Sequence, residues 1–142
     1  MQPQWQYHNG GIWNSFEDKV RTWAEAKVCD TLYVVKAATI RSDQLYPQKC
    51  NNRLPVPKYF YMALLSYNKA SNSYKAIGIW TQQYKSKDDV PANERNKEPK
   101  DYVITIDELE ELTGIDFFCN LPDDTEDTVE KTVDLKYWGF EK

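Results

Sequence analysis

From Ile12 onward the apolar residues Ile12, Trp13, Phe16, Val20, Trp23 and Ala24 recur at spacings of three and four. Such spacing predicts an amphipathic helix ending near Val28. Leu32-Tyr33-Val34-Val35 is β-branched and aromatic, and reads as a buried strand. Residues 41–57 hold three prolines, two adjacent asparagines and mixed charges, which suits an ordered surface loop. Lys58 to Tyr67 and Tyr74 to Gln83 are strand-like, and the polar stretch Asn68 to Ser73 between them predicts an antiparallel hairpin. Lys85 to Lys100 is polar with two prolines and reads as a mobile loop, followed by a short strand at Tyr102-Val103-Ile104. Thr105 with Glu108 forms a capping box and Gly114 supplies a left-handed stop, so a short helix spans 106–113. Asp116 to Lys142 alternates acidic and aromatic residues, with one helical turn near Thr125–Val133. Strands mixed with helices, without a strict βαβ rhythm, predict an α+β fold built on an antiparallel sheet and a long amphipathic helix.

Length and composition narrow the class. A chain of 142 residues is one domain by size, and 41% hydrophobic content with 14% aromatics excludes a disordered protein. The longest unbroken apolar run, Tyr59 to Leu65, is far too short to span a bilayer, so no membrane partner is expected. The first residues show neither a basic flank nor an apolar stretch, hence no visible signal peptide, and localisation stays open. Cys29, Cys50 and Cys119 are widely spaced, and His8 is the single histidine, which argues against a zinc site. The cysteines read as buried apolar residues, with at most one disulfide in an exported protein. Net charge is −4, but it is unevenly spread. Residues 1–100 carry fifteen Lys/Arg against nine Asp/Glu, whereas residues 101–142 carry three against thirteen. A polyanion is attracted to the first part and repelled by the second.

Candidate chemistry concentrates in Asn9-Gly10-Gly11-Ile12-Trp13-Asn14-Ser15-Phe16-Glu17-Asp18-Lys19-Val20-Arg21. Taken as helical from about Asn9, at about 100° per residue, this stretch sets Glu17 about 80° from Asn9 and Arg21 about 40° further round. An amide oxygen, a carboxylate and a guanidinium then share one side, a set suited to a hydrated hard cation and a phosphate. On these residues alone the plainer reading prevails: Glu17–Arg21 is an ordinary surface helix pair.

The stretch Pro3-Gln4, Asn9-x-Gly11-x-Trp13, Phe16-Glu17 and Arg21 resembles the N-x-G-x-W-x-x-L-E-x-x-x-R helix of the DNA/RNA non-specific endonucleases, the ββα-metal nucleases. The resemblance continues in order through Asp30-Thr31-Leu32-Tyr33-Val34-Val35, Val56-Pro57-Lys58-Tyr59-Phe60 and Tyr74-Lys75-Ala76-Ile77-Gly78. It ends at Ile106-Asp107-Glu108-Leu109-Glu110-Glu111-Leu112-Thr113-Gly114-Ile115-Asp116-Phe117-Phe118, similar to the family's L-E-x-x-T-G-x-x-F-F signature. Each segment is weak alone; five in sequence order are specific. The resemblance implies that Asn9 is the single protein ligand of one Mg²⁺. It further implies that Glu17 accepts hydrogen bonds from water around the ion, and that Arg21 helps hold the phosphate or orients the site. One neutral amide and few other protein ligands suit an ion that keeps most of its waters. DNA and RNA would be the substrates.

Two departures accompany the match. The family's general base is the histidine of a D-R-G-H motif upstream of this helix, and the chain contains no D-R-G-H. His8 adjoins the metal ligand rather than occupying the base's place, and reads as a surface or packing histidine. Lys36-Ala37-Ala38 stands where relatives usually carry glycine. The chain is therefore expected to be the C-terminal portion of a nuclease domain over 1–142, inactive or very weak alone. An uncovered sheet edge would make it self-associate or assemble with an N-terminal nuclease segment. The alternative is a non-catalytic nucleic-acid- or protein-binding module on the same scaffold.

Overall fold

A computed structural model describes residues 4–25, 29–50, 54–118, 121 and 123–140. Two helices open the chain, α1 (Gln6–Asn9) and α2 (Ile12–Glu25). The strands follow as β1 (Thr31–Ala38), β2 (Leu45–Cys50), β3 (Leu54–Pro57), β4 (Tyr59–Asn68), β5 (Ser73–Gln82) and β6 (Val103–Ile104). Two further helices, α3 (Ile106–Thr113) and α4 (Asp123–Glu130), come last. The main sheet is antiparallel, in the order β1-β4-β5-β6, and β2 and β3 form a separate two-stranded ribbon. The α+β expectation, the antiparallel sheet and the long amphipathic helix all hold.

The apolar run that is too short for a bilayer is β4, the strand buried on both faces. Its side chains alternate. Phe60, Met62 and Leu64 join Ile77 and Ile79 of β5 beneath Trp13, Phe16 and Trp23 of α2, with Trp138 closing that core. Tyr61, Ala63 and Leu65 face the other way, onto Ile106 and Leu109 of α3, Phe117, and Val129 of α4. A strand covered on both sides reads as a continuous apolar run rather than an alternating one. Gly78 of β5 lies opposite Ile104, where an added Cβ would sit 3.1 Å from the Ile104 carbonyl oxygen; the missing side chain lets β6 close up.

The helix α3 starts and stops as its sequence dictates. The Thr105 hydroxyl accepts from the Glu108 N–H at 3.1 Å, the Glu108 carboxylate accepts from the Thr105 N–H at 3.3 Å, and Gly114 takes φ 73°. The hairpin of β4 and β5 falls within a residue of expectation, and α4 overlaps the expected helical turn from Thr125 but stops at Glu130, short of Val133.

Several expectations need correction. The first helix is not continuous from Asn9 but breaks at Gly10-Gly11 into α1 and α2, while its end near Val28 lies outside the described residues. The described residues of 41–57 are not a loop: a 3₁₀ turn at Ser42–Gln44 leads into β2 and β3, and the prolines sit on a ribbon edge where no N–H is required. Leu32 to Val35 is a strand but not a buried one. β1 lies at the sheet edge, leaving Tyr33 53% exposed and Val34 and Val35 more than a third exposed. Residues 85–100 connect β5 to β6 as expected of a loop, and contain short 3₁₀ turns at Lys87–Asp89, Ala92–Glu94 and the start of Pro99–Tyr102. Ala24 is exposed, and Cys29 is a half-buried free thiol rather than a core residue; the side chains of Cys50 and Cys119 lie outside the described residues. Among the described residues, no helix is long and apolar enough to cross a membrane.

His8 is a packing histidine, 2% exposed. Its ring lies 5.7 Å from that of Trp13 and 5.0 Å from that of Phe60. The Thr81 hydroxyl donates to the Phe60 carbonyl at 3.1 Å, so its oxygen accepts from His8 Nε2 at 2.8 Å. Nδ1 then accepts from the Gln4 amide at 2.6 Å. That arrangement assigns the neutral Nε2–H tautomer. Burial lowers the His8 pKa from 6.5 to about 4.

Thr105→Ala is expected to cost about 1 kcal/mol through the lost cap, read as a lower urea midpoint at unchanged slope. The depressed His8 pKa means that the unfolded chain binds a proton first as pH falls. The stability this neutral histidine contributes is therefore complete above pH 6.5 and is lost as pH falls towards 4. Between pH 7 and 5 the loss is about 2 kcal/mol. Chemical denaturation of the parent and of His8→Gln at both pH values checks this, with the variant expected to show the smaller decline.

Candidate metal and phosphate site

The place of Asn9 is set by its neighbours. Gln83, fully buried, accepts from the Trp5 N–H at 3.0 Å and donates to the Pro57 carbonyl at 2.5 Å, fastening the entry to α1 against the end of the sheet. His8 then plugs into the core. Adjacent helical side chains diverge by about 100°, and Asn9 is exposed. The Asn9 and Gly10 amides return to the Trp5 and Gln6 carbonyls at 2.9 and 2.7 Å, closing α1 as a single turn. Gly11 permits the chain to swing from α1 into α2, since an added Cβ would lie 2.6 Å from the Tyr7 carbonyl oxygen, closer than any side chain tolerates.

Glu17 and Arg21 both lie on α2, but they do not pair. The Glu17 carboxylate accepts from Lys36 Nζ at 3.2 Å, and Arg21 pairs with Asp18 at 3.1 Å. The expected i,i+4 pair gives way to a tertiary partner. Lys36 stands opposite Met62 in the β1–β4 register, on the sheet face that α2 covers, and so lies within reach of Glu17. Both bridges are solvent-exposed enough to add at most about 1 kcal/mol each. Because α1 and α2 are separate helices, the angular relation of Asn9 to Glu17 does not follow from a single helical wheel. Lys36 is the residue that sequence reasoning passes over. Its signal was available, for it shares the two-residue alternation of Leu32 and Val34.

The donors are an exposed neutral amide and a half-exposed carboxylate, both oxygen ligands of the kind a hard divalent cation takes, so these residues fit such an ion. A second oxygen-rich group sits elsewhere. Asp107, Glu110 and Glu130 bring carboxylate oxygens within 4.8 Å of one another, on the α3–α4 side. Glu110 accepts from the Phe117 N–H at 2.7 Å and so ties the segment after α3 back to the helix. Burial, with the hydrogen bond and charge of Asp116, raises the Glu110 pKa against the opposing effect of the Phe117 N–H. This group lies in the layer across the sheet from α2 and does not include Asn9.

The fold is similar to a chain in the crystal structure of the EndoG/EndoGI complex, described for the mechanism of EndoG inhibition. The TM-score is 0.56 at 16% identity, covering 80% of this chain and 45% of that one. This chain thus spans less than half the length of that solved relative. No curated protein matches. The family model for the DNA/RNA non-specific endonucleases matches residues 1–124, taking in α1, α2, the whole sheet and α3. With most of its length matched, the chain belongs to the DNA/RNA non-specific endonuclease family.

Proposed function

We propose that this chain is the C-terminal, metal-ligand portion of a nuclease domain that hydrolyses DNA and RNA phosphodiester bonds without sequence preference. A divalent cation, Mg²⁺ in this reading, supplies charge stabilisation at the phosphate and its leaving oxygen when bound. Asn9 offers its amide oxygen as the direct protein ligand. Glu17 is oriented by Lys36 and orders water around the ion. Arg21, exposed on α2, attracts and positions the phosphate. The observation that carries the reading is the exposure of Asn9 beside a buried His8, within the segment matched by the family.

His8 cannot be the general base in this reading. Both its nitrogens are engaged, it is buried, and it is the sole histidine of the chain. A positioned base contributes typically ~10²–10⁴-fold, so the chain by itself is inactive or very weak. The D-R-G-H histidine would come from residues outside this sequence, in the same chain or in another, and the edge of β1, which has no strand beyond it within the described sheet, is the place for such a segment or for a second copy to add. The engaged histidine equally favours the second reading, a binding module without catalysis.

Plasmid nicking in Mg²⁺ separates the two. The chain alone is expected to leave the plasmid intact, and addition of a D-R-G-H-bearing segment is expected to restore nicking. Asn9→Ala then removes the restored activity by about 10²-fold or more, and Arg21→Ala lowers it less. Restoration that survives Asn9→Ala would sink the ligand assignment, and failure to restore any nicking would favour the binding module.

A further inference from the structure

A cavity of about 360 Å³ opens beside α1, between Tyr7 and the segment that follows β5. Its walls are aromatic, formed by Tyr7, Tyr59, Trp80, Tyr84 and Tyr102. Tyr59 and Trp80 stack with ring centroids 4.7 Å apart and planes 24° from parallel, which makes a rigid flat wall. Tyr7 is 45% exposed. Around the mouth stand Lys87, Arg95 and Lys97 with a single carboxylate, Glu94. That carboxylate is already engaged: the Tyr84 hydroxyl donates to it at 2.7 Å and Lys97 lies 3.7 Å away. Arg95 is fixed through Nε, which donates to the Val90 carbonyl at 2.9 Å and leaves the far end of the guanidinium for an anion. The cavity is therefore locally cationic in a chain whose net charge is −4.

Flat aromatic walls with a cationic mouth match a nucleobase with its phosphate. A base inside a duplex is stacked and paired on both sides and cannot present its face to a protein wall; only an unpaired one can enter. The volume lies at the lower end of the range for small-ligand sites, roughly 300–1,000 Å³, and excludes a double helix. We propose that this cavity takes one unpaired nucleotide of a single-stranded DNA or RNA, its base against Tyr7 and the Tyr59–Trp80 stack and its phosphate at Lys87 and Arg95. The proposal rests on the nuclease reading for its polyanion and adds to it a subsite for one unpaired nucleotide, without restricting what is cut. It does not need the metal, so it can be tested apart from cleavage.

Fluorescence anisotropy of a short labelled oligothymidylate, titrated with the full chain in EDTA, gives the affinity without catalysis. The single strand is expected to bind at least about tenfold more tightly than a duplex of equal length, with quenching of tryptophan emission. Tyr7→Ala is expected to weaken binding by about tenfold. Arg95→Glu is expected to weaken it and flatten its salt dependence. Arg41→Glu, a reversal of an exposed charge that does not line the cavity, is expected to change it little. The proposal is overturned by absence of binding, by equal affinity for duplex and single strand, or by Tyr7→Ala and Arg95→Glu behaving like Arg41→Glu. Failure of a D-R-G-H-bearing segment to restore metal-dependent nicking, with EDTA binding intact, would instead count against the nuclease reading alone.

Discussion

A neutral imidazole, held at one nitrogen by Thr81 and at the other by Gln4, fixes the first turn of this protein against its sheet. Rotating α1 would break the bond to Thr81 on the sheet and pull His8 out from between Trp13 and Phe60. Buried polar groups left without partners cost several times what a made hydrogen bond gains, so the turn has essentially one orientation. Asn9 is carried outward by that constraint. Gly11 carries the consequence into α2, since only a residue without a Cβ clears the Tyr7 carbonyl.

The sheet also divides the charge of the molecule. The acidic helices α3 and α4 pack on one face of the sheet, and α2 with Glu17 and Arg21 packs on the other. The negative charge of the last third of the chain is therefore largely held across the sheet from the candidate phosphate site. A partial exception is the stretch after α4. Trp138 returns to the α2 face, where Trp23 Nε1 donates to its carbonyl at 3.1 Å, and Asp134 pairs with Lys75 at 3.0 Å. An acidic protein can thus present a face to a polyanion, because the Debye length of roughly 8–10 Å confines each surface charge to its own neighbourhood.

Local signals in the chain hold where the physics is local. The capping box of Thr105 and Glu108, the left-handed Gly114 and the hairpin of β4 and β5 each depend on residues a few positions apart, and each is found as expected. Errors cluster where a partner is distant in sequence. Leu32 to Val35 has the composition of a buried strand, but β1 has a strand on one edge only within the described sheet, and Tyr33, Val34 and Val35 stay more than a third exposed. Glu17 has Arg21 one helical turn away, yet Lys36 takes it, since strand register places that ammonium under the helix.

By itself the sequence determined the family, the element types, and the residues among which chemistry is to be sought. Apolar periodicity, caps and motif order are properties of the chain read along its length. The tertiary structure decided which of those residues face solvent and which pair. It turned His8 inward and Asn9 outward, split one expected helix at two glycines, and gathered Tyr7, Tyr59, Trp80 and Arg95 around one cavity. Exposure and cross-chain distance depend on everything packed against a residue, and no spacing along the backbone encodes them.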